Sequence, residues 1–150
     1  MKKYFMMAAL MFLGTMCMTS CGDDDKDDIE DIIEDVESGN IKATTKFEEK
    51  GNQMILTATW KNVMTQVHTA TFEDEACVSY IIKDTYASDK LADAAWEEIQ
   101  KDEEDARNYT RNGKVITCDE SEEYRGFPKE EMRMVLQWIA EELAQMGNFK

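Results

Sequence analysis

Histidine and proline are nearly absent from this chain. Each occurs once in 150 residues, as His68 and Pro128. A lone histidine without spaced Cys or His neighbours cannot build the usual zinc centres. The four cysteines contain no C-x-x-C pair, which excludes the redox and zinc patterns built on it. There is no G-x-S-x-G elbow, and the seven glycines form no phosphate-cradling loop. Basic residues are also scarce: 17 Lys and Arg stand against 32 Asp and Glu, for a net charge of −15. Nucleic-acid binding is driven by cations that neutralise phosphates, and anionic lipid headgroups make the same demand. The charge argues against both. A basic partner is permitted by it but not implied. No run is long enough to span a ~30 Å hydrocarbon core as a helix, since the apolar stretch Phe5–Leu13 is too short.

That stretch has another meaning. Lys2 and Lys3 precede it, and small residues lead from it to a cysteine. This is the three-part layout of a secretory signal. Cys17 follows the bulky Met16, whereas Cys21 follows Ser20 in Thr19-Ser20-Cys21-Gly22. Processing prefers small residues beside the cut, so Cys21 is the expected mature first residue. The stretch resembles a bacterial lipoprotein signal, with Met18 where leucine is common. The resemblance implies acyl chains on Cys21 and a stable membrane anchor, because each buried CH₂ contributes ~0.8 kcal/mol. Ordinary secretion with a free Cys21 is the alternative.

Asp23-Asp24-Asp25-Lys26-Asp27-Asp28 follows the cysteine. It resembles the short acidic tag of Bacteroidota lipoproteins destined for the outer leaflet, which implies surface exposure; a periplasm-facing anchor is the alternative. By charge alone it is a self-repelling, solvated spacer. Asp23, Asp25, Asp27 and Glu34 also stand at positions 1, 3, 5 and 12 of a calcium loop. Asp28 occupies the position that needs glycine, which argues against a bound calcium.

Residues 1–20 read as the signal, 21–28 as acylated cysteine and tether, and 29–150 as one domain. Loss of the signal removes two lysines and takes the charge to −17. A domain of about 130 residues buries roughly two thirds of its unfolded surface and needs no metal to hold a core. Cys77 and Cys118 remain in the globule. An even pair in an exported chain invites a disulfide, worth ~3–4 kcal/mol in the entropic account. Two buried thiols acting as small apolar residues are the alternative.

Ile29, Ile32, Ile33 and Val36 recur at helical spacing, so a short helix is expected over 29–38. Ile41, Ala43, Thr45 and Phe47 alternate with polar residues, as do Met54, Leu56, Ala58 and Trp60 after a Gly-containing turn. These two strands read as a hairpin. Residues 65–72 and 76–83 add two more strands. Ser88 offers an N-cap, and Ala92, Ala95, Trp96, Ile99, Ala106 and Tyr109 form a helical stripe. Asn112-Gly113 signals a tight turn before a short strand over 114–118. Asp119–Gly126 reads as an acidic loop, and Pro128 suits the first position of a closing helix striped by Met132, Val135, Leu136, Ile139, Leu143 and Met146. The expected fold is α+β, in the order α-β-β-β-β-α-β-α. Its antiparallel sheet of four to five strands carries two amphipathic helices on one face. Thr57, Thr59 and Lys61 suit the opposite, wet face.

Residue patterns that carry chemistry are few. His68 reads as a surface or cross-strand residue, and the acids before Cys77 oppose the thiolate a nucleophile needs. Paired carboxylates for glycoside cleavage need a cleft that so small a sheet hardly provides. The expectation is a non-enzymatic binding or accessory module without metal or cofactor. Its partner would be a protein or glycan outside the inner membrane. An inhibitor or immunity-type protein set against a basic target is the second reading, and a small hydrolase the third. Trp96 and Trp138 belong to helical stripes. Tyr124, with Arg125 and Phe127, is therefore the expected exposed anchor, since Tyr and Arg are enriched at interface hot spots.

Overall fold

The structure is a computed structural model that describes residues 42–101 and 103–145. The signal, Cys21, the acidic run and the expected helix at 29–38 lie outside those residues. Six strands form one antiparallel sheet: β1 (Thr44–Lys50), β2 (Gln53–Trp60), β3 (Met64–Glu73), β4 (Ala76–Tyr86), β5 (Tyr109–Asn112) and β6 (Val115–Asp119). Their order across the sheet is β1-β2-β3-β4-β6-β5. The helical segments are α1 (Asp89–Gln100), α2 (Glu103–Ala106), α3 (Ser121–Tyr124) and α4 (Lys129–Gln145). The α+β class and the antiparallel sheet agree with the sequence.

The first four strands form a meander because each connection is a tight turn. Gly51 takes a left-handed φ of 57° between β1 and β2, where a Cβ would be strained. Between β3 and β4 the left-handed pair is Asp74 and Glu75, at φ 51° and 66°. Two residues with positive φ are what a hairpin needs to match strand twist. After β4 the chain leaves the sheet through α1, capped by the Ser88 hydroxyl, which accepts from the Leu91 N–H at 3.2 Å. It returns as β5, turns at Gly113, and inserts β6 between β5 and β4.

β5 is the strand the sequence pattern conceals. Tyr109 continues the spacing of the α1 stripe, yet α1 stops at Gln100 and Tyr109 opens β5. Its four residues pair with β6, from Tyr109 opposite Cys118 to Asn112 opposite Val115. The acidic loop likewise contains a single helical turn, α3. Pro128 immediately precedes α4, and its carbonyl accepts from the Met132 N–H at 3.1 Å.

Alternation decides the core. Met54, Leu56, Ala58 and Trp60 of β2 are buried, as are Met64, Ala70 and Phe72 of β3 and Ile82 and Tyr86 of β4. Leu91, Ala95 and Ile99 of α1 and Met132, Leu136, Ile139 and Leu143 of α4 close over that face. α4 lies across β1 to β4 and α1 over β4 and β6. Fully burying a Leu, Ile, Phe or Met side chain stabilises by about 1.5–3 kcal/mol.

The expected disulfide does not form. Cys77 and Cys118 are both free and buried. Cys118 stands opposite Ile82 of β4, five residues beyond Cys77 on the same strand. At ~3.3 Å per residue that offset is about 16 Å, whereas a bridge requires Cα atoms within roughly 7 Å.

Candidate functional site

The expected anchor of the 119–127 loop is a core residue. Tyr124 is 3% exposed. Its ring packs against Tyr80 at 4.9 Å and edge-on against Phe127 at 5.2 Å between centroids. α3 turns it inward: Ser121 Oγ accepts from the Tyr80 N–H at 3.0 Å, and the Glu120 N–H donates to the Tyr80 carbonyl at 2.9 Å. Phe127 is half-buried, and its carbonyl accepts from the Cys77 N–H at 2.8 Å. Only Arg125 of the three is exposed. The sequence pattern read this stretch as loop, and a four-residue helix has too few turns to reveal its inward face.

His68 is not a surface residue either. It is fully buried on the helix-covered face. Its Nε2 lies 2.8 Å from Gln66 Oε1, and its Nδ1 lies 2.8 Å from the Tyr80 hydroxyl. An amide oxygen only accepts, so Nε2 carries the proton. Nδ1 is then the acceptor, and Tyr80 donates to it. The Gln66 side chain also hydrogen-bonds Asp84. The four groups form one directed chain, Tyr80 to His68 to Gln66 to Asp84. Loss of hydration holds the imidazole neutral, with a pKa lowered to about 3, and pushes the Asp84 carboxyl up to about 7. Trp60 Nε1, Tyr86 Oη and Asp84 Oδ1 have no hydrogen-bond partner among the described residues. With every member at most 6% exposed, the chain is enclosed between sheet and helices.

The thiols are similarly enclosed. Burial raises the pKa of both, and Cys118 Sγ donates to Glu120 Oε1 at 3.3 Å. A thiol above its ordinary pKa is a poor nucleophile at neutral pH. Among the described residues, no group of three or more His, Cys, Asp or Glu side chains could hold a metal ion. No described helix is long and apolar enough to cross a membrane.

The remaining feature is the other face of the sheet, over which no described helix lies. Pairing aligns its side chains in rows. One row runs Lys46, Thr57, Val67, Lys83, Thr117 and Thr110 from β1 to β5. The next runs Glu48, Ile55, Thr69, Ile81 and Asp119. A third holds Thr44, Thr59, Thr65, Thr85, Val115 and Asn112. Ile55, Val67, Ile81 and Val115 are each half-buried. These rows contain no aromatic side chain. The central row has two lysines and no acid, in a chain with nearly twice as many acids as bases.

No protein family, no curated protein and no solved structure matches the chain. Its site is therefore read from its own residues.

Proposed function

We propose that this chain is a lipid-anchored envelope lipoprotein, exposed at the outer-membrane surface, that works as a small non-enzymatic binding module. Its contact surface is the uncovered sheet face. The anchor rests on the resemblance of residues 1–28 to lipoprotein signals. The contact surface rests on one observation: an uncovered array of threonines interrupted by Ile55, Val67, Ile81 and Val115, with Lys46 and Lys83 in its central row. β-Branched side chains on a pleated face lose little rotamer freedom on contact. The absence of an aromatic platform in these rows favours a protein segment over a glycan, whose rings stack on aromatic side chains. Such a segment would carry apolar residues for the Ile/Val spine and acids for the lysines.

The test is capture from envelope extracts with the acylated chain as bait. Arginines introduced by Thr57→Arg and Thr69→Arg interrupt the centre of the face without touching the core. The expected result is loss of the captured species in this double variant and its retention in Arg125→Ala. Equal capture by all three proteins would refute the contact surface.

A second reading has its own observation. Asp119, Glu122 and Glu123 are exposed together at the end of β6 and in α3. An inhibitor facing a basic target would use such acids, and its binding would weaken steeply with added salt. Binding carried chiefly by the Ile/Val spine would weaken much less.

A further inference from the structure

The sheet face has apolar side chains that no described element covers, and the chain contains one segment of matching chemistry. Residues 29–38 place Ile29, Ile32, Ile33 and Val36 at helical spacing, with Glu30 and Glu37 to one side of that stripe and Asp28 and Asp35 to the other. We propose that this segment docks on the uncovered face of the sheet and is its resting occupant. This rests on the same face being the contact surface.

Three observations carry the assignment. The first is reach. The segment joins the described domain at edge strand β1, and residues 39–43 span up to roughly 17 Å when extended. That is enough to turn around the β1 edge onto either face, and α4 already lies over the other one. The second is size. From Ile29 to Val36 the stripe rises about 10 Å as a helix, and the distance from β2 to β4 is about 9.5 Å at the usual strand spacing. The stripe therefore matches the span over which Ile55, Val67 and Ile81 lie. The third is charge. Acids line both sides of the stripe, and the cation the face offers them is Lys83, since Lys46 already pairs with Glu48 at 3.1 Å and the adjoining row holds Glu48 and Asp119. Lys83 is exposed, and no ion pair engages it among the described residues.

Paired cysteines in the full chain test the placement. Ile33→Cys with Val67→Cys brings a thiol to each proposed contact. Ile33→Cys with Glu97→Cys is the control, because Glu97 is exposed on α1, on the other side of the sheet. Under mild oxidation, with products identified by peptide mass, the first pair is expected to close at least about tenfold faster than the control, as an effective local concentration requires. Equal rates, or no closure in either pair, overturn the docking. A second readout leaves the face unaltered: Ile32→Asp with Ile33→Asp should raise carbene labelling of the β2–β4 peptides on Ile55, Val67 and Ile81. Unchanged labelling also overturns it. The two readings fail separately. Fast closure with full partner capture by the Thr57→Arg, Thr69→Arg protein supports the docking and removes the external contact. Loss of capture without closure leaves the contact surface standing and removes the resting occupant.

Discussion

Replacing Asp84 with asparagine should change how stability depends on pH, in a direction fixed by burial. Asp84 is 6% exposed, and its carboxyl is pushed up to about 7 by loss of hydration, with the Gln66 hydrogen bond pulling the other way. Unfolded, an aspartate titrates near ~3.9. Between these values the folded chain holds a proton that the unfolded chain has released. Stability therefore falls as pH rises through the window, by up to about 1.4 kcal/mol per pH unit. His68 acts oppositely. Its folded pKa is lowered to about 3, against ~6.5 unfolded. Between those values the unfolded chain binds the extra proton, and stability falls as pH drops. From about pH 4 to about pH 6.5 the two contributions cancel in the parent protein. Asp84→Asn removes one of them. Its stability relative to the parent should rise by about 3 kcal/mol between about pH 4.5 and about pH 6.5. Urea unfolding followed by tryptophan fluorescence at several pH values measures this. The many surface carboxylates contribute to both proteins and drop out of the difference. A variant whose stability tracks the parent's across the range would show that Asp84 titrates like a solvated acid, and the buried chain as described would be wrong.

Three further outcomes follow from the packing. His68→Gln should show the opposite trend, gaining stability relative to the parent as pH falls below about 6.5, because the parent's protonation penalty is gone; the same urea series reads it. Tyr124→Ala should destabilise the fold by about 3–5 kcal/mol, as loss of a large buried aromatic does, and thermal unfolding would show a lowered Tm where an exposed anchor would show none. Cys77 and Cys118 should both take up an alkylating label in denaturant without prior reduction, and intact mass would count them; protection of either until a reductant is added would restore the disulfide.

The expected elements survive where one signal governs them. β2 alternates cleanly from Met54 to Trp60, α1 has a capping Ser88, and α4 carries an uninterrupted stripe from Met132 to Leu143. Local periodicity and burial agree there, so residue order suffices. β3 is harder to read, because its inward positions include Gln66 and His68. Polar residues at core positions erase the contrast that alternation depends on; the two bond to each other, and Tyr80 and Asp84 on the neighbouring strand complete their hydrogen bonding.

Residue order alone determined the acidic balance, the signal-like start, the α+β class and the strands with regular alternation, since each depends on composition or on neighbours within one element. Tertiary structure decided what depends on distant partners. Cys77 and Cys118 look like a pair by count, and the register of β6 against β4 keeps them apart. Tyr124 looks exposed in an acid-rich stretch, and the hydrogen bonds between α3 and β4 turn it into the core. Tyr109 continues a helical spacing, and pairing with β6 makes it a strand. In the first two cases the deciding contact joins segments far apart in sequence, and in the third it crosses the Gly113 turn onto a strand held by β4; its free energy is realised only when the sheet has assembled.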